Sequence, residues 1–222
     1  MSHVAFSDLR SAAYCSRQLY YERLDDEDRT PPPGVERVRR LASRYEESLA
    51  ADHDQLAAAP IEVAPATYQA RLARARDERS RWRALCEPSG RNVLLTGREC
   101  RGVAHKLLAE PPAPSIVSVG EPPDRGVWAP QSVHAVAAAK ALAWERETPV
   151  DHAFVEYPAY GVVRRIELTT RRKAAYRRTL RAVRELDGPP PRTDDRSKCD
   201  ACEYAPTCGV RTRTLRSLLG RG

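Results

Sequence analysis

The chain has 222 residues, with 37 Lys and Arg against 30 Asp and Glu and a formal net charge of +7. That length suits one well-buried domain, and the basic balance fits a nucleic-acid partner, with a solvated surface of arginines as the plain alternative. No apolar stretch approaches bilayer length and no charged segment leads into an apolar block at the start, so neither a membrane nor export is expected and the cytoplasm is the expected compartment.

Ser7 is placed to cap a helix running to about Glu22, with Leu9, Ala13 and Leu19 on one side and Cys15 along it. The proline-rich run from Thr30 to Gly34 ends that segment. Val35, Val38, Leu41, Tyr45 and Leu49 are spaced for a second helix, and an arginine-rich third is predicted from about Tyr68 to Leu85. Strands are predicted at Asn92–Thr96, Gly102–Leu108 and Ser115–Val119, then an alanine-rich helix over Gln131–Glu147. Phe154–Tyr157 and Val162–Leu168, joined through Pro158–Gly161, read as a β-hairpin. Thr170 is placed to cap a basic helix ending near Leu186, and a short arginine-rich helix over Arg211–Leu219 closes the chain. The order predicts a single mixed α/β domain over 1–222, with a helical lobe over about 1–90, an α/β core over about 91–188 and a cysteine-bearing tail over about 189–222.

In a reducing compartment the six cysteines read as metal ligands or buried small side chains rather than disulfides. Cys199-x-x-Cys202 lets one loop present two ligands, and Cys208 follows after five residues, with Pro206 to turn the chain. Three cysteines within ten residues of a polar stretch point to metal binding rather than packing. A tetrahedral set needs a fourth thiolate, for which Cys15 is the best candidate and Cys86 and Cys100 are others. Cys86 ends a predicted helix and Cys100 flanks a strand, so burial as small apolar side chains is expected of both. Spacing does not separate zinc from an iron–sulfur cluster, since both accept four thiolates.

Along Thr170–Leu186, Ala174, Tyr176, Leu180 and Val183 share the face expected to meet the core. Arg172, Arg177, Arg178, Arg181 and Arg184 point elsewhere. A row of guanidinium groups attracts phosphates without reading sequence, so Arg172, Arg177, Arg178 and Arg181 are candidate nucleic-acid contacts, joined by Arg211, Arg213 and Arg216. The alternative is a solvated helix face, partly balanced by Glu185 and Asp187. Tyr20, Tyr21, Tyr157 and Tyr160 are candidates for stacking on unpaired bases, with core or hairpin packing as the alternative.

The runs SDLRSAAYCSRQLYY and CDACEYAPTC together resemble the two ends of the CRISPR-associated RecB-like exonucleases, in the iron–sulfur branch of the PD-(D/E)XK nuclease superfamily. The middle is similar in outline. GVAHKLL, SIVSVGEPP and QSVHAVAAAKAL stand where that family has a strand bearing Asp, a strand bearing Glu-x-Lys and a helix bearing Gln and Tyr. The resemblance spans about Ser7 to Leu219. It implies a restriction-endonuclease-like, RecB-type α/β core whose ends are fastened by a [4Fe–4S] cluster on Cys15, Cys199, Cys202 and Cys208. It also implies action on single strands or ends of DNA, in CRISPR spacer acquisition (antiviral defence) or repair, beside an integrase or a helicase.

A nuclease of this kind needs carboxylates to hold a divalent metal and a lysine to orient or activate water. Aligned on the resemblance, His105 stands at the Asp position, Ile116 and Ser118 at the acidic and lysine positions, and His134 at the Gln position. Lys106, Lys140, Lys173 and Lys198 are the four lysines, and the residues two before them are Ala104, Ala138, Arg171 and Arg196, so the chain contains no acid-x-Lys motif. The expectation is a nuclease fold that has kept DNA and lost catalysis. One alternative is an active exonuclease with Mg2+ or Mn2+ at a site rebuilt from His105, Lys140 and Glu121 or Asp124, although one imidazole without carboxylates suits Mg2+ poorly. Another is a displaced register, and a third is a non-catalytic adaptor for a DNA-processing complex, built around a metal on four cysteines. His105 and His134 have their own plain alternative as neutral, hydrogen-bonded structural histidines.

Overall fold

The computed structural model describes residues 3–25, 33–78, 81–200 and 202–208. Val4–Ala5 (β1) leads into Phe6–Tyr14 (α1) and Ser16–Leu24 (α2). Five helices follow: Pro33–Leu41 (α3), Tyr45–Ala50 (α4), His53–Ala57 (α5), Pro65–Asp77 (α6) and Trp82–Cys86 (α7). Strands Gly90–Thr96 (β2), Cys100–Leu108 (β3) and Ala113–Val117 (β4) precede Ala129–Glu145 (α8). His152–Tyr157 (β5), a 3-10 turn at Pro158–Tyr160, and Val162–Glu167 (β6) lead to Thr170–Arg184 (α9) and Ser197–Asp200 (α10).

The six strands form one mixed sheet, ordered β1-β3-β4-β5-β6 with β2 also on β3. The strands β2, β3 and β4 run antiparallel in turn, with Val93 opposite Ala104 and Lys106 opposite Ser115. Next to β4 lies β5, parallel to it, Ile116 facing Val155. Parallel neighbours need a crossover, and α8 supplies it. The predicted hairpin is present as β5 and β6, closed at Gly161, whose φ of +63° is in the left-handed region that glycine takes at no steric cost.

Helices cover both faces of the sheet. On one face Leu9 and Ala12 of α1, Val136 and Leu142 of α8, and Tyr176 and Leu180 of α9 pack over Ala104, Ile116, Val155 and Ile166. On the other, Tyr45, Tyr68, Leu72, Trp82 and Leu85 pack over Val117, Phe154 and Val163. Neighbours such as Ile116 and Val117, or Phe154 and Val155, go to opposite faces, as the two-residue strand period requires. The segment expected as a helical lobe is therefore divided, α1 lying on one face and α4 to α7 on the other. The alanine-rich α8 is buried along most of its length because small side chains let α1 and the sheet close on it together. Among the described residues no helix is long and apolar enough to cross a membrane.

The first helix differs from the expectation. It is two helices, broken at Cys15, whose φ of −159° and ψ of 113° are extended. The N-cap of α1 is Ala5, which makes no side-chain bond, so Ser7 lies in the first turn rather than at the cap. The third helix is likewise split into α6 and α7. The cap of α9 is Thr169, its side chain accepting from Arg172 N at 3.4 Å. The predicted helix over Arg211–Leu219 lies outside the described residues.

Candidate metal centre and basic groove

The break at Cys15 brings that residue to a cavity shared with Cys199, Cys202 and Cys208, walled also by Tyr14, Arg17 and Tyr21. All four cysteines are free thiols and half-buried. Hydrogen bonds from both ends of the chain hold them there. Tyr14 Oη donates to Lys198 O at 3.2 Å while Lys198 Nζ donates to Tyr14 O at 3.0 Å. Arg17 donates to Pro190 O at 2.8 Å, and Tyr204 Oη donates to the Asp25 carboxylate at 2.7 Å. Tyr21 stacks on Tyr204, their ring centroids 5.6 Å apart. In the tail itself, Cys202 N bonds Cys199 O at 3.2 Å and Cys208 N bonds Tyr204 O at 2.7 Å, curling the three cysteines into one turn-rich segment.

Burial raises the pKa of Cys199, and the neighbouring Cys15, Cys208 and Cys202 raise it further. Cys202 is raised by burial, then by Cys15 and Cys208. A cation bound among them would relieve this opposition to ionisation of Cys199 and Cys202. An all-sulfur donor set suits zinc or an iron–sulfur centre rather than Mg2+ or Ca2+. Among the described residues no group of three or more His, Cys, Asp or Glu converges on the position of a single ion. Cys86 and Cys100 stand apart from this cavity. Cys86 Sγ is 3.8 Å from the Glu46 carboxylate and its thiol is pushed up to about 12, mainly by burial. Cys100, 1 % exposed, sits 3.3 Å from Tyr176 Oη.

A second cavity, of about 710 Å³, is lined by residues of α1, α3, β2 and β3, among them Arg10, Arg39, Arg40, Arg91 and Arg101. His105 and His134 line it too, their ring centroids 6.4 Å apart. His105 Nδ1 accepts the Val117 N–H at 3.1 Å, which assigns the proton of the neutral ring to Nε2. His134 is 8 % exposed and its Nε2 has no hydrogen-bond partner. Burial holds the pKa of His105 down at about 4, with Arg39, Arg10 and Lys106 adding to the effect. Burial holds that of His134 at about 3, helped by His105 and Arg10. Both rings are therefore neutral at neutral pH. Glu36 is the one carboxylate among the described residues lining this cavity, and it stands 3.9 Å from the Arg39 guanidinium.

The other positions aligned on the resemblance do not reach this cavity. Ile116 is packed in the core, and Ser118 Oγ accepts from Gln131 Nε2 at 3.2 Å. The rebuilt arrangement is not assembled either. Lys140 lies in another cavity, 5.8 Å from the centre of the Tyr176 ring, and Glu121 and Asp124 line a third. Sequence reasoning missed the five arginines because their elements lie far apart along the chain. Only the RVRRL run at Arg39 and Arg40 offered a local signal.

No local pattern marks the pairing of Lys106 with Glu156 either. Lys106 Nζ donates to Glu156 Oε2 at 2.7 Å and to the carbonyls of Ala42 and Leu85 at 2.7 and 2.8 Å. Ser115 Oγ donates to the other Glu156 oxygen at 2.5 Å. This network ties β3, β4 and β5 to the chain just after α3 and to α7. A lysine held this way is a structural cation, not a free one.

Along α9, Tyr176, Leu180 and Val183 are buried as expected, Ala174 is half-buried, and Arg177, Arg178 and Arg181 are exposed. Arg172 is half-buried and donates to Glu167 O at 2.9 Å, while Arg184 stands 3.4 Å from Glu99. Of the candidate stacking tyrosines, Tyr157 is fully buried, its ring sealed in the core, so it is withdrawn from that role. Tyr20, Tyr21 and Tyr160 are half-buried. Arg211, Arg213 and Arg216 lie outside the described residues.

Protein-family models give no match to this chain, and a search of curated proteins gives none either.

Proposed function

We propose that this is a RecB-type, PD-(D/E)XK nuclease-like protein that holds a [4Fe–4S] cluster on Cys15, Cys199, Cys202 and Cys208 and binds DNA strands or ends without cutting them. The observation that carries the reading is the meeting of Cys15 with the three tail cysteines at one cavity, across nearly the whole length of the chain. A bound cluster would supply a link between the first helices and the tail. The residues around it already do part of that work, through the reciprocal bonds of Tyr14 and Lys198 and the Arg17 bond to Pro190.

The succession of β3, β4 and α8 supports the nuclease-like core, because it repeats the strand, strand and helix that the resemblance implies. The lining of the His105 cavity supports the loss of cutting. Mg2+ seeks oxygen ligands, and the cavity offers five guanidinium groups with one carboxylate already beside Arg39. The positive charge of the same lining supports DNA as the ligand. A place in spacer acquisition or repair, beside an integrase or helicase in the cytoplasm, follows from the resemblance.

The test is anaerobic purification followed by iron, zinc and acid-labile sulfide analysis and a visible spectrum. A nuclease assay with Mg2+ or Mn2+ and gel retention of single-stranded DNA over a salt series complete it. Iron with sulfide, salt-sensitive retention and no cleavage are expected. Zinc in place of iron would turn the reading to an adaptor built on a four-cysteine zinc site. Cleavage that disappears in His105→Ala would establish an active enzyme.

A further inference from the structure

We infer that the His105 cavity is a phosphate clamp that grips a nucleic-acid strand through its arginines and without a divalent cation. The inference rests on the DNA-binding reading above and specifies which surface does the binding and how.

The positive charge there is built by four separate elements. Arg10 comes from α1, Arg39 and Arg40 from α3, Arg91 from β2 and Arg101 from β3. Against these five stands Glu36 alone among the described lining residues. Lys106 adds little, since Glu156 neutralises it at 2.7 Å. A divalent cation entering this field would be repelled, while a phosphate would be attracted and met by planar donor forks. The cavity is also larger than an ion requires: about 710 Å³ is within the range that holds a small organic ligand, and a stretch of strand fits that scale.

Two further atoms point to a ligand. Arg39 Nε is buried without a hydrogen-bond partner, and so is His134 Nε2. Buried polar atoms are nearly always satisfied, so an unmatched donor and an unmatched ring nitrogen in one cavity call for something that bonds them. His105, neutral with its proton on Nε2, adds a donor that does not repel metal by charge yet offers no lone pair to it on that atom. The arginines of α9 differ in setting. Arg177, Arg178 and Arg181 are exposed on a helix face, and none of them lines this cavity.

The experiment uses the full chain and a fluorescent single-stranded oligonucleotide, titrated with EDTA present and with Mg2+ present, over a range of salt. Binding should be the same in EDTA as in Mg2+. The exposed pair Arg40→Gln and Arg101→Gln should weaken it by at least about tenfold and reduce the salt slope by about 1.4, as expected when two phosphates of a single strand are no longer neutralised. The matched pair Arg177→Gln and Arg178→Gln on α9 should do less, and thermal melting should be unchanged in both. Binding that needs Mg2+ would overturn the clamp. So would binding weakened by the α9 pair and untouched by the cavity pair, which would leave the DNA-binding reading standing. If the unaltered chain binds no DNA under any of these conditions, both the clamp and that reading fall.

Discussion

Lys106 and Glu156 meet at 2.7 Å with side chains only 2 % and 0 % exposed, so a full ion pair lies inside the sheet-and-helix core. Ser115 donates to the Glu156 carboxylate, and the carbonyls of Ala42 and Leu85 take the other two Lys106 donors. Removing one partner strands the other charge away from water. Glu156→Gln is expected to cost about 3–5 kcal/mol, which for a chain of this size lowers the melting temperature by roughly 10 °C. Replacing both, as Lys106→Met with Glu156→Leu, should lie closer to the parent than either single change, because no unpaired charge remains. Calorimetry on Glu156→Gln, the two constituent single variants and the double variant decides it, and a double variant less stable than either of its singles would overturn the expectation.

The four clustered cysteines should behave differently from the other two. If these four cysteines hold the proposed cluster, Cys15→Ser and Cys208→Ser should each purify anaerobically with less iron than the parent and melt at lower temperature, since the cluster would no longer add to the hydrogen bonds between the first helices and the tail. Cys86→Ser, whose sulfur faces Glu46 elsewhere in the fold, should keep the parent's iron content. Equal metal content in all four proteins would remove the cluster from Cys15 and Cys208.

Gly102 lies against Phe6, and a Cβ added there would overlap the Cβ, Cγ and Cδ2 atoms of that side chain. Phe6 is 2 % exposed and belongs to the core under α1. Gly102→Ala should therefore push α1 off β3 and cost about 1–3 kcal/mol, the usual range for an overpacked core. Urea unfolding measures it. A midpoint equal to the parent's would mean that α1 yields without loss.

The neutral histidines give stability a definite pH dependence. Their folded pKa values, about 4 for His105 and about 3 for His134, lie below the roughly 6.5 of an unfolded histidine. The unfolded chain thus binds more protons in this window, so their contribution is complete above about pH 6.5 and is lost as the pH falls toward 4 and then 3. Each group accounts for about 1.4 kcal/mol per pH unit within its own window. Urea midpoints should fall from pH 6.5 to 4, and His105→Asn, which keeps an acceptor for the Val117 N–H, should flatten that fall. An unchanged slope in the variant would locate the acid sensitivity elsewhere.

What could be read from the residues was whatever depends on neighbours in the chain. The strands at Gly102–Leu108 and in the Phe154–Leu168 hairpin, the apolar stripe of Tyr176, Leu180 and Val183, and the alanine-rich helix all announce themselves through period and turn chemistry. The grouping of Cys199, Cys202 and Cys208 was equally plain, because metal-ligand spacing is local. Even the absence of an acid-x-Lys motif needed only the positions of four lysines.

The tertiary structure decided what depends on distant chain segments meeting. That Cys15 rather than Cys86 or Cys100 joins the tail cysteines required the helix to break at Cys15 and the two ends to be tied through Tyr14 and Lys198. Arg10, Arg39, Arg40, Arg91 and Arg101 form a common lining only once α1, α3, β2 and β3 are assembled, and Lys106 finds Glu156 only across the sheet. Local sequence carries local propensity, but charge–charge and ligand geometry are properties of the folded packing, where side chains far apart in the chain share one low-dielectric space.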